Sequence, residues 1–244
     1  MFNIFYKKNN NKALFKEFKN VGIENIQNYI PIYKHFFNLK ENNYQNINLN
    51  HYYTISNVEK DDEKDDDKNV YKCKLQSEKN EINTKTFFKF SPLIDPVKYM
   101  VGKYENIEGV KSELPQLSNN KCIKKVLDPN NSAYVDAFFS YLTSNLLHYH
   151  KFVHGLDFYG SFLGIQKNFK VNIFDDLEYL NESEFFHENN NKLFKMDDID
   201  NSLFFDADTR NYKRKLCSEK RWQEKMGTTL WKINQSKERT DSVH

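Results

Sequence analysis

The chain has 244 residues, room for one large domain or two small ones, and aromatic side chains make up 16% of it. Its formal net charge is +2, which excludes the strong global field of a dedicated nucleic-acid binder; any basic patch must be local. Three scattered cysteines, Cys73, Cys122 and Cys217, exclude a disulfide framework and a cysteine zinc site and suit a reducing compartment.

The opening MFNIFYKKNNNK has no apolar run behind its charges, so no secretory signal is expected, and no stretch of 18 apolar residues predicts a membrane span. The expected setting is intracellular. Asparagine is abundant beside Lys, Ile, Phe and Tyr, and the runs at 9–11 and 189–191 read as codon bias rather than chemistry.

Residues 12–20 and 31–39 are predicted to be helices. In the second, Pro31 suits a first turn and Tyr33, Phe36 and Phe37 share a face. Residues 51–58 read as a strand. The run 59–68 (EKDDEKDDDK) is a solvated loop; it lacks the glycine and closing glutamate of a calcium loop. VYKCKLQ (70–76) and TKTFFKFS (84–91) form a predicted hairpin across the turn at 77–80. Asp95 caps a helix that begins at Pro96, and 105–120 is loop. The clearest helix is 132–151, with Ser132 as cap and Val135, Phe138, Leu142, Leu146 and Tyr149 on the expected buried stripe, widened by Phe139 and Leu147. Residues 156–165 and 169–180 are predicted as two further strands joined by a turn, and 184–198 as helix or loop leading to a short strand.

Composition changes near residue 210. All four arginines and both tryptophans (Trp222, Trp231) follow it, and no phenylalanine does. Residues 209–244 are therefore expected to be a basic tail, either disordered or a frame-shifted product of A-rich codons. Its mixture of Lys/Arg with Tyr212, Trp222 and Trp231 is the one weak pointer to nucleic acid. Residues 1–48 are expected to be a helical extension and 49–208 the main domain.

TFFKFSPLIDPVKYMVGKY (86–104), the segment 130–180 and FFHENNNKLFKMDD (185–198) resemble a family of giant-virus serine/threonine protein kinase-like proteins, in their amino-terminal part. The resemblance spans about residues 50–216. It implies an α+β fold: a kinase small-lobe-like antiparallel sheet of about five strands, one long packed helix and additional N-terminal helices. It also implies ATP and Mg²⁺ as cofactors, a protein substrate or partner, and a host-cytoplasm, viral-factory or virion setting. The family's catalytic-loop and Asp-Phe-Gly motifs are absent from these residues. The chain would then be a truncated or a split kinase, with phosphotransfer only if a large lobe is supplied, for example as a separate polypeptide; a non-catalytic scaffold or virion interaction protein is the alternative.

Residue by residue, Lys89 matches the strand lysine that in kinases contacts the nucleotide phosphates. Its helix partner in kinases is a glutamate; here the long helix offers Asp136. The turn that should carry a glycine-rich loop reads Ser77-Glu78-Lys79-Asn80. A weaker acidic site is Asp157 with Asp175, spaced like catalytic and metal aspartates but without the expected Asn and Gly. His148, His150 and His154 read as surface histidines near the negative end of the helix, and no metal site is expected.

Overall fold

The computed structural model describes residues 4, 6–8, 10–50, 52–60, 69–104, 113–118, 122–167, 169–196 and 228–235. The class is α+β. In chain order come β1 (Lys7–Lys8), α1 (Lys12–Asn20), β2 (Ile23–Gln27), a 3-10 turn (Pro31–His35), β3 (Ile47–Asn48), β4 (Thr54–Lys60), β5 (Val70–Gln76) and β6 (Glu81–Pro92). Then follow α2 (Pro96–Met100), α3 (Lys124–Leu127), α4 (Ser132–His150), β7 (Phe158–Gln166), α5 (Leu177–Asn181), α6 (Glu184–Asn189) and β8 (Thr228–Gln235). Six strands form one antiparallel sheet in the order β2-β7-β8-β6-β5-β4, and β1 pairs with β3.

The β5–β6 hairpin follows directly from its side chains. Tyr71, Cys73 and Leu75 are buried and alternate with half-buried Val70, Lys72 and Lys74, the period-2 pattern of a strand with one face on a core. Register runs unbroken from Val70↔Phe87 to Gln76↔Glu81. The turn closes through Ser77 N–H on Asn80 O and Asn80 N–H on Ser77 Oγ. Asp95 caps α2 as expected, accepting from the amides of Val97 and Lys98.

The sheet is covered on both faces. On one, α1 buries Leu14 and Phe18 against Ile55, Val58, Leu75, Phe88 and Phe162; the Phe18 ring lies 6.0 Å from Phe88 and 5.8 Å from Phe162. On the other, α4 sets Tyr134, Ala137, Phe138 and Tyr141 against Ile32, Tyr33, Phe158, Leu163 and Ile165. A third cluster joins α2, α5 and α6 through Tyr99, Met100, Ile173, Leu180, Phe186 and Phe194.

Several expectations are corrected. Residues 1–48 are not a separate extension, because β2 extends the sheet beside β7. The predicted tail at 209–244 supplies β8, a central strand between β6 and β7; residues 209–227 and 236–244 lie outside the described residues, as do 61–68 of the charge run and 105–112 of the predicted loop. The sheet has six strands rather than about five. Residues 169–180 are no strand: Phe174–Asp176 is a 3-10 turn leading into α5. There Ile173, Leu177 and Leu180 meet one cluster at helical spacing, which overrides the alternation upstream. The helix predicted at 31–39 shortens to one 3-10 turn.

Helix α4 runs where expected but presents a different face. Val135, Phe139, Leu146 and Tyr149 are exposed, whereas Ala133, Tyr134, Ala137, Phe138, Tyr141, Ser144 and Asn145 are buried. The helix is apolar nearly all round, so periodicity cannot choose its inner side. Its cap is Asn131 rather than Ser132: Asn131 Oδ1 accepts from Ala133 N–H.

Candidate functional site

Position 89 falls in the middle of β6, whose even-numbered Thr86 and Phe88 are buried toward α1. The odd-numbered side chains therefore face the α4 side. There Lys89 Nζ meets Asp136 Oδ2 of α4 at 3.0 Å. Asp136 stands one turn inside the helix, and the pair ties the third strand of the β4–β5–β6 meander to α4. Both side chains are about 40% exposed. A pair so open to water contributes about 1 kcal/mol or less to stability, so its geometry leaves the ammonium accessible to an anionic ligand.

Lysines of β5 and β6 continue this face. Lys72 and Lys85 are directly opposite in register, as are Lys74 and Asn83, and Val70 and Phe87. Lys74 Nζ is held by Glu81 at 2.6 Å. Lys72 and Lys85 therefore stand on the same side of the hairpin as Lys89. Sequence reading singled out Lys89 alone. The alternation in KCK and TKTFFKF, phased from buried Tyr71 and Phe88, is the signal that places the other lysines on the same side.

The turn at 77–80 contains no glycine, and the amides of Ser77 and Asn80 are engaged within it. It offers little of the open backbone cradle by which glycine-rich loops hold phosphates.

The second acidic site separates into two structural roles. Asp157 Oδ1 accepts from its neighbouring amide, Phe158 N–H, at 3.0 Å and lies 2.9 Å from His148 Nε2 and 3.4 Å from Ser144 Oγ. Ser144 Oγ in turn accepts from Phe158 N–H at 3.1 Å. This half-buried knot ties the end of α4 to the start of β7. His148 is thus no plain surface histidine. The serine contacts the aspartate and not the histidine, so the three do not form a nucleophilic relay. Asp175 lies elsewhere, in the 3-10 turn before α5. No group of three or more His, Cys, Asp or Glu side chains able to hold a metal occurs among the described residues, and no helix among them is long and apolar enough to cross a membrane.

No protein-family model matches this sequence, and neither a curated protein nor a solved structure matches it.

Proposed function

We propose that this chain is a kinase small-lobe-like module of the giant-virus serine/threonine kinase-like kind, which contacts the phosphates of Mg·ATP through Lys89 and supports phosphotransfer to protein hydroxyls when a large lobe joins it. The observation that carries this reading is the Lys89–Asp136 ion pair at 3.0 Å, a strand lysine joined to an acid on the long helix. The connectivity around it supports the same reading. A three-strand meander is followed by the long helix and two more strands, the last inserted beside the lysine strand; this order resembles a kinase small lobe, with α5 and α6 set between the last two strands. On this reading metal ligation and the catalytic base belong to the large lobe. The setting would be the host cytoplasm, the viral factory or the virion.

A second reading keeps the scaffold without catalysis, and the glycine-free turn at Ser77–Asn80 favours it. The two separate in a melting experiment on the purified chain with and without Mg·ATP. Nucleotide binding raises the melting temperature of the wild type in proportion to its occupancy, and Lys89→Ala removes that rise while shifting the ligand-free melting point little. No rise in either protein would leave the scaffold as the function.

A further inference from the structure

Only part of the apolar surface of α4 is spent on the sheet. On the side away from it, Val135 is 45% exposed, Phe139 62%, Leu146 36% and Tyr149 67%, with Leu142 half-buried between them. Their steps along the helix are four, three, four and three residues, the spacing at which one helix seats against another. The chain beyond the helix extends the patch through Phe152, Val153 and Leu156, all exposed.

Three properties identify what fits this surface. The first is its extent: the exposed parts of these side chains come to on the order of 600 Å², the top of the range for a monomer's largest apolar patch. Two such patches face to face would bury about 1,200 Å², the threshold of a specific interface. The second is charge. Asp136 is the one charged carboxylate or ammonium group on α4, and it is turned to Lys89. The stripe is bordered by Ser132, Ser140 and Thr143, and Lys151 is exposed just beyond its end, about 13 Å along the helix from the Leu142 centre, so the middle of the stripe meets a second copy without charge and no ring of charges selects a differently charged helix. The third is shape. With two stripes antiparallel about Leu142, Val135 comes opposite Tyr149, small against large, Leu142 meets its own copy, and Phe139 falls within one residue of Leu146.

We propose that α4 is the interface of a twofold dimer in which two copies of this chain pack their helices antiparallel about Leu142. Such an interface is isologous and closed, using the same residues from both copies. It lies on the outer side of α4 and leaves the Lys89 face of the sheet open.

Sedimentation velocity of the full chain tests this. The wild type should shift with concentration from about 1 to 100 µM toward twice its mass of 29.3 kDa. Phe139→Glu should stay monomeric at every concentration with its circular dichroism unchanged, and Phe139→Leu should restore the dimer. If Phe139→Glu fails to fold, Val135→Glu takes its place. Leu142→Cys should form an inter-chain disulfide under mild oxidation; Val135→Cys should do so only when mixed with Tyr149→Cys. A wild type that is monomeric throughout, or a dimer that both charged variants leave intact, would overturn the proposal.

Discussion

At the level of single residues, burial of neutral acids is the strongest electrostatic feature of the fold. Burial pushes the Cys73 thiol up to about 12, against a smaller opposing effect of the neighbouring Thr86 side chain. It also pushes the Tyr71 phenol up to about 12, and Tyr29, Tyr33, Tyr134 and Tyr159 are shifted in the same direction, again chiefly by burial. The consequence for stability has a definite sign. Below the unfolded-state values of 9.0 for cysteine and 10.0 for tyrosine, both states are neutral and nothing is lost. As pH climbs from about 9 toward 12 the unfolded chain ionises and the folded one does not, so the folded state loses ground. The urea midpoint should be flat from about pH 7 to 9 and fall steeply above it, with the share of tyrosinate absorbance at 295 nm that belongs to the buried phenols appearing together with unfolding. The full tyrosinate absorbance of all 15 tyrosines reached well before the chain unfolds would show these phenols to be open to solvent. The site itself was legible at this scale for a simple reason: Asp136 is the only carboxylate on α4, so a lysine in need of an acid there had one choice. The lysines beside it were missed because their phase depends on knowing which neighbour is buried.

Among the elements, α4 shows what a sequence pattern can and cannot decide. Its limits were readable from composition, because a long run without Gly or Pro bounded by Pro129 and Gly155 has little alternative to a helix. Its orientation was not, since Val135, Phe139, Leu142, Leu146 and Tyr149 make as regular a stripe as Tyr134, Ala137, Phe138 and Tyr141. The tie is broken by tertiary structure, in which small Ala133 and Ala137 allow close approach to the sheet and Asn131 fixes the start. The Asn131 side chain is buried, caps Ala133 N–H, and donates to Leu93 O at 2.8 Å and Lys125 O at 2.9 Å. It thus anchors α4 to the end of β6 and to α3. Ser132, the cap expected from the sequence, is exposed. Asn131→Ala removes a cap and leaves one buried and one part-buried carbonyl without their donor, so it should cost roughly 2–3 kcal/mol in urea unfolding. Ser132→Ala should stay within about 0.5 kcal/mol of wild type. Equal costs for the two substitutions would return the cap to Ser132.

For the whole molecule, the decisive fact is the place of β8. β6 pairs with β5 on one side and β7 with β2 on the other, and β8 alone bridges the two halves of the sheet. Its residues pair from Thr86↔Gln235 to Pro92↔Thr229 on one edge and from Phe158↔Asn234 to Ile165↔Thr228 on the other. The basic composition around it hid this role, because a central strand is normally read from a continuous apolar run, and Thr228–Gln235 carries Thr, Lys, Asn and Gln. Contact between segments so distant in sequence leaves no local signature. The same geometry makes β8 the sharpest probe of the fold. A chain ending at residue 227 would expose two unpaired strand edges in the middle of the sheet, each with a row of backbone donors and acceptors left to water or aggregation. Leu230→Pro reaches the same end without shortening the chain, since proline removes a ladder hydrogen bond from a strand paired on both sides and cannot adopt the geometry its neighbours need. Both variants should lose the single cooperative urea transition and bind a hydrophobic dye. A chain ending at residue 227 that still unfolds cooperatively at an unchanged midpoint would mean that the sheet closes without β8, and that residues 209–244 are the appended tail their composition suggests.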